Sequence, residues 1–246
     1  MATKLTIEYD GAGFRGWAKQ PGERTVQSEL ERALATIRRE ETALTVAGRT
    51  DAGVHAWAQV ASHAGAPATA RSLNSVLPDD VVVLASEEVP EGFDARSQAR
   101  SRTYCYRIWN QRQPSALLRG RVWWCAYRLD RGLLDEAAAA LVGEHDFEAF
   151  TLSQQPYGHY RRRMLSAEWR EREGVLEFWI TGEAFTRRMV RAVTSFQIDI
   201  ARGARRLEDF ERLLLGAPRA EGGGTAPAEG LYLASIGFGP DHAAGS

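Results

Sequence analysis

The chain reads LTVAGRTDAGVHAWAQVASH over residues 44–63. Apolar and β-branched residues at both ends of this segment predict two strands, residues 44–49 and 57–63, joined by a turn that is bounded by Gly48 and contains Gly53. Two successive strands that follow a helix are typical of the middle of a split βαβ motif. The fold is therefore predicted outward from this pair of strands.

The turn between the two strands has an unusual composition. It brings an arginine, a carboxylate and an imidazole together within seven residues, at Arg49, Asp51 and His55. Flanking glycines allow left-handed backbone angles and let a ligand or another segment come close. The pattern predicts a functional site, although an aspartate that only caps a turn explains the spacing equally well.

The residues around this pair complete an α+β pattern over the first 90 residues. We predict strands at residues 3–9 and 81–89, a helix at residues 26–39 with Thr25 as its N-cap, and a helix at residues 70–77 that ends before Pro78. The order βαββαβ is that of the ferredoxin-like fold.

The second half repeats this theme less regularly. Strands are predicted at residues 102–109, 122–127, 163–172, 175–181 and 231–238, and helices at residues 133–142, 183–201 and 207–215. Residues 144–146 are expected to end a helix. The predicted fold class is α+β, with two ferredoxin-like lobes forming one extended, mainly antiparallel sheet that has helices on one side and a central cleft. The lobes are expected at residues 1–98 and 99–240, followed by a loose tail at residues 241–246.

The composition excludes several classes of protein. The chain has 246 residues, of which 44% are apolar and 26% charged, and this excludes a disordered, collagen-like or disulfide-rich protein. No run approaches the roughly 20 apolar residues of a membrane helix, and the N-terminus lacks the apolar core of a signal peptide. With only two cysteines, a cytoplasmic protein is expected.

The charge is segregated along the chain although the formal net charge is only -1. Residues 96–131 contain nine arginines and one acidic residue, and residues 161–206 contain 11 arginines and six acidic residues. A coding bias explains the choice of arginine over lysine, but it does not explain this clustering. We interpret the two segments as a positive surface for a polyanion, and a solvated face is the alternative.

Two motifs that suggest cofactors are better explained otherwise. Residues 11–16 read GAGFRG after a strand, which matches a dinucleotide-binding pattern, but Pro21-Gly22 prevents the helix that would follow it. A glycine-rich loop with an exposed aromatic residue and a cation is expected instead. The histidines lack cysteine or carboxylate partners at ligand spacing, so neither a metal nor a cofactor is predicted.

Six motifs in the expected order resemble one known family. In chain order they are IEYDG (7–11) with GW (16–17), AGRTDAGVH (47–55), FDAR (93–96) with RTYCY (102–106), GEHDF (143–147), MVR (189–191) and APAEGLYL (226–233). Together they resemble the pseudouridine synthases of the TruA family, which act on the anticodon stem-loop of tRNA. The resemblance covers nearly the whole chain, and the string around Asp51 is highly specific.

The resemblance implies a role for several residues. Asp51 is the catalytic aspartate, Tyr104 contacts the substrate and serves in catalysis, and Arg191 forms an ion pair with the aspartate. The residues implied to bind the substrate are Arg49, which helps to displace the target nucleotide, together with Tyr104, Leu231 and His55. Candidate phosphate-binding residues are Arg15, Arg96, Arg102, Arg187 and Arg188. Family members isomerise uridines 38, 39 and 40 as homodimers, without a metal or cofactor.

Two alternatives follow from the residues. Thr194-Ser195-Phe196-Gln197 departs from the small and apolar residues usual in the family, which leaves substrate range open and suggests a catalytically silent RNA-binding protein or RNA chaperone as the alternative function. Hydrolysis of a glycosidic bond would need a second carboxylate near Asp51, for which only Asp10 and Asp94 are candidates.

Overall fold

The computed structural model describes residues 1–152 and 159–239, and it divides into two compact units. The first unit comprises residues 1–102 and the segment that begins at Tyr232, and the second comprises residues 103–231. The predicted lobes, residues 1–98 and 99–240, differ from these units mainly because the last strand groups with the first unit. The predicted tail, residues 241–246, lies outside the described residues.

The fold class is α+β with mainly antiparallel strands, as predicted. Within the described residues the strands and helices are, in chain order, β1 (Ala2–Tyr9), α1 (Val26–Arg38), β2 (Thr45–Val46), β3 (His55–Ala64), α2 (Ala70–Asn74), β4 (Val81–Val89), β5 (Ser101–Trp109), β6 (Trp123–Trp124), α3 (Arg131–Ala139), β7 (Gly143–Asp146), β8 (Arg161–Arg172), β9 (Val175–Gly182), α4 (Met189–Ala201), α5 (Leu207–Leu213) and β10 (Leu231–Gly237). None of these helices is long and apolar enough to cross a bilayer.

The first unit has the strand order of the ferredoxin-like fold. Strand β1 lies between β4 and β3 and is antiparallel to both. Strand β2 pairs with one end of β3, at Ala61 and Ser62, whereas β10 pairs in parallel with the other end, at His55 and Ala56. The predicted strand at residues 44–49 is therefore short, because the chain leaves the sheet after Val46 and frees residues 47–54 to form a loop.

Helix α1 is specified by its sequence. Thr25 caps it as predicted, since the Thr25 side chain accepts from the Ser28 N–H and the Ser28 side chain bonds the Thr25 backbone. Leu30 and Leu34, four residues apart, lie on the buried face. The first residues of this helix hold the segment before it, since the Val26 N–H donates to the Gly16 carbonyl at 3.2 Å and the Gln27 N–H to the Trp17 carbonyl at 3.1 Å.

The second unit contains the strand order β5-β9-β8-β7. Strands β8 and β9 form the predicted hairpin, and its turn residues Glu173 and Gly174 both have positive φ, 53° and 77°. Helix α4 is buried on almost every side, and Phe196 packs edge-on against Phe150 and stacks on Phe210.

Two predicted elements of the second unit are wrong in detail. Residues 144–146 belong to strand β7 and do not end a helix, because Gly143 (φ 115°) redirects the chain to pair with β8. Helix α4 begins at Met189 and not at residue 183, since Arg188 has left-handed angles (φ 60°, ψ 9°) at its N-cap.

Candidate active site

Asp51 lies in the loop of residues 47–54, and the exposure of the side chains in this loop changes from one residue to the next. Thr50 is buried, whereas Asp51 is half-buried and Arg49 is exposed. The Thr50 hydroxyl lies 2.7 Å from the Tyr9 phenol, and the Thr50 carbonyl accepts from the Trp17 N–H at 3.1 Å. Thr50 therefore anchors the loop, while Arg49 and Asp51 on either side of it are exposed and half-buried, respectively.

Two buried polar side chains support this loop from beneath. Gln59 Nε2 donates to the Gly48 carbonyl at 2.5 Å and lies 3.5 Å from the Tyr9 oxygen. Burial raises the pKa of Tyr9 to about 12, so the phenol stays neutral. Sequence reasoning missed both residues, although a glutamine within an otherwise apolar strand was the available signal.

The glycines at residues 11 and 16 allow the neighbouring segment to contact the same loop. A Cβ on Gly11 would lie 2.0 Å from the Val54 carbonyl oxygen, and a Cβ on Gly16 would lie 2.8 Å from the Thr50 carbonyl oxygen. Gly16 also has φ of 94°. The motif that resembles a dinucleotide fingerprint thus serves close packing against the loop of residues 47–54.

The aromatic residue of that motif is not exposed as expected. Phe14 is buried, and the Arg24 guanidinium lies over its ring at 4.1 Å from the centroid. Arg24 is held by a bidentate ion pair with Asp80, which has both N–O distances at 2.8 Å. The exposed cation of the motif is Arg15, which pairs with Glu23 at 3.3 Å.

His55 is buried beneath the loop and makes contacts inside the first unit. Its Nδ1 atom lies 3.0 Å from the Gly11 nitrogen and 3.0 Å from Asp10 Oδ1. Its ring stacks on Tyr232 of β10 at 4.7 Å, and Trp57 also stacks on Tyr232. Substrate contact by His55 stays a prediction, and the geometry favours a role in positioning the loop.

The second unit carries the other predicted catalytic residues on three elements. Tyr104 is buried in β5, and its ring meets the edge of Phe185 at 5.0 Å. Arg191 lies in the first turn of α4, where its Nε donates to the Ala226 carbonyl at 2.8 Å. Leu231, which is buried, begins β10. The structure thus ties Arg191 to the segment of residues 226–231 that ends at Leu231.

The segment of residues 226–231 is tightly constrained. The Tyr106 hydroxyl donates to the Pro227 carbonyl at 2.7 Å, and a Cβ on Gly230 would lie 2.7 Å from the Tyr106 ring. The Ala226 N–H in turn donates to the Arg191 carbonyl at 3.1 Å. Tyr106 is a buried core residue and also sets the position of Leu231.

The two other candidate carboxylates stabilise turns. Asp94 Oδ1 accepts from the Ser97 N–H at 2.7 Å and from the Arg96 N–H at 3.0 Å, and these hydrogen bonds, with that from Ser97 the largest, lower the pKa of Asp94. Asp10 Oδ1 accepts from the Ala12 N–H at 3.1 Å and caps a short 3₁₀ helix. Local turn formation accounts for both side chains.

The candidate phosphate-binding arginines divide into two groups. Arg15, Arg96, Arg187 and Arg188 are exposed. Arg102 is half-buried, and its guanidinium donates to the carbonyls of Ala47 at 2.9 Å and Ala99 at 3.1 Å. Phosphate contact by Arg102 stays a prediction, but its donors already join the loop of residues 47–54 to the start of β5.

The unusual residues of α4 belong to the core of the second unit. The Thr194 hydroxyl donates to the Val190 carbonyl at 2.8 Å, and Gln197 Oε1 accepts from Trp169 Nε1 at 2.9 Å. Phe196 packs in the aromatic cluster described above. The departures from the family pattern are thus accommodated by packing and by hydrogen bonds within this unit.

Comparison with known proteins agrees with these motifs. A family model described as tRNA pseudouridine synthase matches residues 137–239. The tRNA pseudouridine synthase A of Acetivibrio thermocellus is 38% identical over 95% of this chain and 98% of its own length. The enzyme of the same name from Methylococcus capsulatus is 41% identical over 96% of this chain and 89% of its own length. The one from Bacillus pumilus is 36% identical over 95% of this chain and 97% of its own length. With this identity over nearly the whole length of its relatives, the chain belongs to the tRNA pseudouridine synthase A family.

Proposed function

We propose that this protein isomerises uridine to pseudouridine in tRNA, at positions 38, 39 and 40 of the anticodon stem-loop. The observation that carries the reaction is the 38% identity over 98% of the length of a relative named tRNA pseudouridine synthase A. The supported loop of residues 47–54 agrees with it, because Thr50 is anchored while Asp51 stays partly accessible.

The reaction rearranges one nucleotide and consumes no other reactant. The bond from C1' of the ribose to N1 of the uracil breaks, the base rotates, and C1' bonds to C5. The C5 proton is then lost and N1 gains one, so that the atoms balance. A carboxylate is sufficient to attack covalently or to stabilise positive charge that develops at C1'.

Each proposed residue has a distinct part in this reaction. Asp51 acts on the target uridine, and Arg191 forms an ion pair with its carboxylate. Tyr104 stacks on the uracil and relays the proton from C5, and Leu231 forms an apolar contact with the base. The fixed backbone around Thr50 and Ala226 gives Asp51 and Arg191 the defined positions that such a site requires.

The target base must leave the stack before it can react. Unpairing costs a few kcal/mol, and a side chain that fills the vacated place offsets part of this cost. We assign this role to Arg49, which is exposed and lies two residues from Asp51. Exposed arginines hold the phosphates of the stem and loop. We place the protein in the cytoplasm and expect it to act as a homodimer. Sedimentation of the purified protein tests the dimer.

The assignment of Asp51 is tested by Asp51→Asn. This variant should lose pseudouridine formation by at least about 1,000-fold, because the amide cannot act as a nucleophile, and tRNA affinity should stay within about twofold. The matched control is Asp79→Asn, which changes an exposed carboxylate of the same unit. Formation is measured by mapping pseudouridines by position in an unmodified tRNA transcript.

The outcomes separate the reaction from the residue. If the wild-type protein forms no pseudouridine in any tRNA, the proposed reaction is wrong. If the wild type is active and Asp51→Asn keeps its rate, the reaction stands but another residue is the catalytic group. Pseudouridine at positions other than 38, 39 and 40 would contradict only the stated specificity.

A further inference from the structure

A cleft within the second unit is lined by basic residues. The cleft has a volume of about 630 Å³, and its polar lining residues include Glu148, Thr151, Tyr160, Arg187, Arg188 and Arg219. Three guanidinium groups and one carboxylate give this lining a formal charge of +2. Such a lining suits an anion, and the volume exceeds that of a single phosphate group.

Arg219 is the most informative residue of the cleft. Its guanidinium donates to the Ala149 carbonyl at 3.1 Å and to the Gly223 carbonyl at 2.8 Å. Among the residues that the structure describes, no carboxylate forms an ion pair with it, and burial lowers the pKa of Arg219. A half-buried cation that is compensated only by carbonyl dipoles is expected to gain from an anion.

The wall that carries Arg219 is rigid. A Cβ on Gly222 would lie 1.7 Å from the Ala149 carbonyl oxygen, so the chain after Arg219 packs directly against the backbone of the opposite segment. Only two of the five N–H donors of Arg219 are used by the carbonyls described above. The remaining donors are held in place before any ligand arrives.

Arg188 is on the other wall, and its backbone conformation is costly. Its left-handed angles cost about 1–2 kcal/mol in a residue other than glycine. The adjoining backbone is fixed, since the Leu152 N–H donates to the Arg187 carbonyl at 3.0 Å and the hydroxyls of Thr151 and Thr186 lie 2.6 Å apart. The exposed Arg188 side chain forms no ion pair or hydrogen bond with any other described residue.

We propose that this cleft binds a backbone phosphate of the tRNA substrate between Arg188 and Arg219. The inference rests on the proposed function only for the identity of the RNA. A planar guanidinium matches two oxygens of a phosphodiester, and the hydroxyl groups of the lining can serve the adjoining ribose. The single carboxylate of Glu148 leaves the charge balance in favour of a phosphate.

The experiment compares arginines at the cleft with one distant from it. Arg188→Gln and Arg219→Gln each remove one positive charge. Arg219→Lys retains the charge but lacks the paired N–H donors of the guanidinium. The control is Arg172→Gln, at the far end of β8. A strand rises about 3.3 Å per residue, so Arg172 lies about 36 Å from Arg161 at the other end of β8. Affinity for a fluorescent anticodon stem-loop RNA is measured by anisotropy from 50 to 300 mM salt.

Each cleft variant should weaken RNA binding roughly threefold to tenfold at low salt and reduce the slope of log Kd against log salt by about 1. Arg219→Lys should recover most of the slope, and Arg172→Gln should match the wild type. Because the exposed Arg188 side chain forms no ion pair or hydrogen bond with the described residues, its variant gives a clear result even if Arg219→Gln unfolds.

The inference is overturned if Arg188→Gln, or a folded Arg219→Gln, binds RNA with the affinity and salt slope of the wild type. A wild type that binds the RNA but forms no pseudouridine would contradict the proposed function and leave this test intact. Conversely, an active wild type with unaffected cleft variants would contradict only the cleft.

Discussion

Gly16 and Gly22 show how one residue can control the position of the catalytic loop. Both have positive φ, 94° and 75°, but only Gly16 has backbone atoms of residues 50–52 within 4 Å of an added Cβ. Gly22→Ala therefore tests backbone strain alone, and Gly16→Ala tests the same strain together with a steric clash against the loop.

We expect Gly22→Ala to lower the free energy of unfolding by about 1–2 kcal/mol without loss of activity. Gly16→Ala should cost a further 1–3 kcal/mol or so and lower the rate at saturating tRNA by at least about tenfold, because it displaces the residues beside Asp51. Denaturant unfolding and single-turnover kinetics measure the two effects. Equal activity in the two variants would contradict the role of Gly16.

Tyr9 links the loop to the pH dependence of stability. Burial raises the pKa of this phenol to about 12, whereas in the unfolded chain it titrates near 10. Between these values the unfolded state releases the proton and the folded state retains it, so stability falls as the pH rises.

Tyr9→Phe should remove the part of the loss of stability at alkaline pH that comes from this phenol, which is up to about 2–3 kcal/mol of the free energy of unfolding between pH 10 and 12. At pH 8 the variant should be less stable than the wild type by about 1–2 kcal/mol, because the Thr50 hydroxyl loses its partner. The difference should therefore shrink as the pH rises. Tyr127→Phe, at an exposed position, is the control and should leave the pH profile unchanged. Parallel profiles for Tyr9→Phe and the wild type would show that the phenol titrates normally.

At the level of elements, the turn of the β8–β9 hairpin has a backbone conformation for which one of its two residues, Glu173, is not the favoured type. Both central residues of its two-residue turn, Glu173 and Gly174, have positive φ. Asparagine tolerates this conformation better than glutamate, and Asn-Gly is the favoured pair in such turns.

Glu173→Asn should therefore raise the free energy of unfolding by about 0.5–1 kcal/mol. Arg172→Asn, one residue earlier in the extended strand, should give no gain, because asparagine is disfavoured in strands. Denaturant unfolding of both variants checks the difference. A loss of stability in Glu173→Asn would mean that the glutamate makes a contact that outweighs the turn preference.

The elements also show where pattern reasoning succeeds. The repeat of apolar residues and the Thr25 cap predicted α1 to within one residue, since both signals are local. The start of α4 was missed by six residues because a left-handed residue, Arg188, precedes the helix. Strand β7 was missed because its pairing with β8 comes from a segment about 17 residues away in the chain.

At the level of the whole molecule, we expect exposed arginines and arginines that hydrogen-bond to the backbone of the fold to differ in their effect on RNA binding. Arg96 is exposed, whereas Arg102 donates to the backbone carbonyls of Ala47 and Ala99. Counting basic residues in the sequence treats the two alike. The net charge of -1 does not distinguish them either.

Arg96→Gln should reduce the salt slope of tRNA binding by about 1 and leave stability unchanged. Arg102→Gln should lower the free energy of unfolding by about 2 kcal/mol or more, because buried carbonyls lose charged donors, and should retain the wild-type salt slope. Anisotropy titrations and denaturant unfolding measure these outcomes. A reduced salt slope in a folded Arg102→Gln protein would contradict this expectation and support the prediction that Arg102 contacts a phosphate.

The α+β class, the family and the order of strands and helices apart from β7 follow from the chain alone, because periodicity, caps and short motifs are local. The buried support of the catalytic loop became visible only in three dimensions. Tyr9, Gln59 and Gly16 are distant from Asp51 in the chain, and only the pairing of β1 with β3 and the approach of the glycine-rich segment bring them to Thr50 and Gly48. The exposure of each arginine likewise depends on which carbonyls and carboxylates the folded chain places beside it.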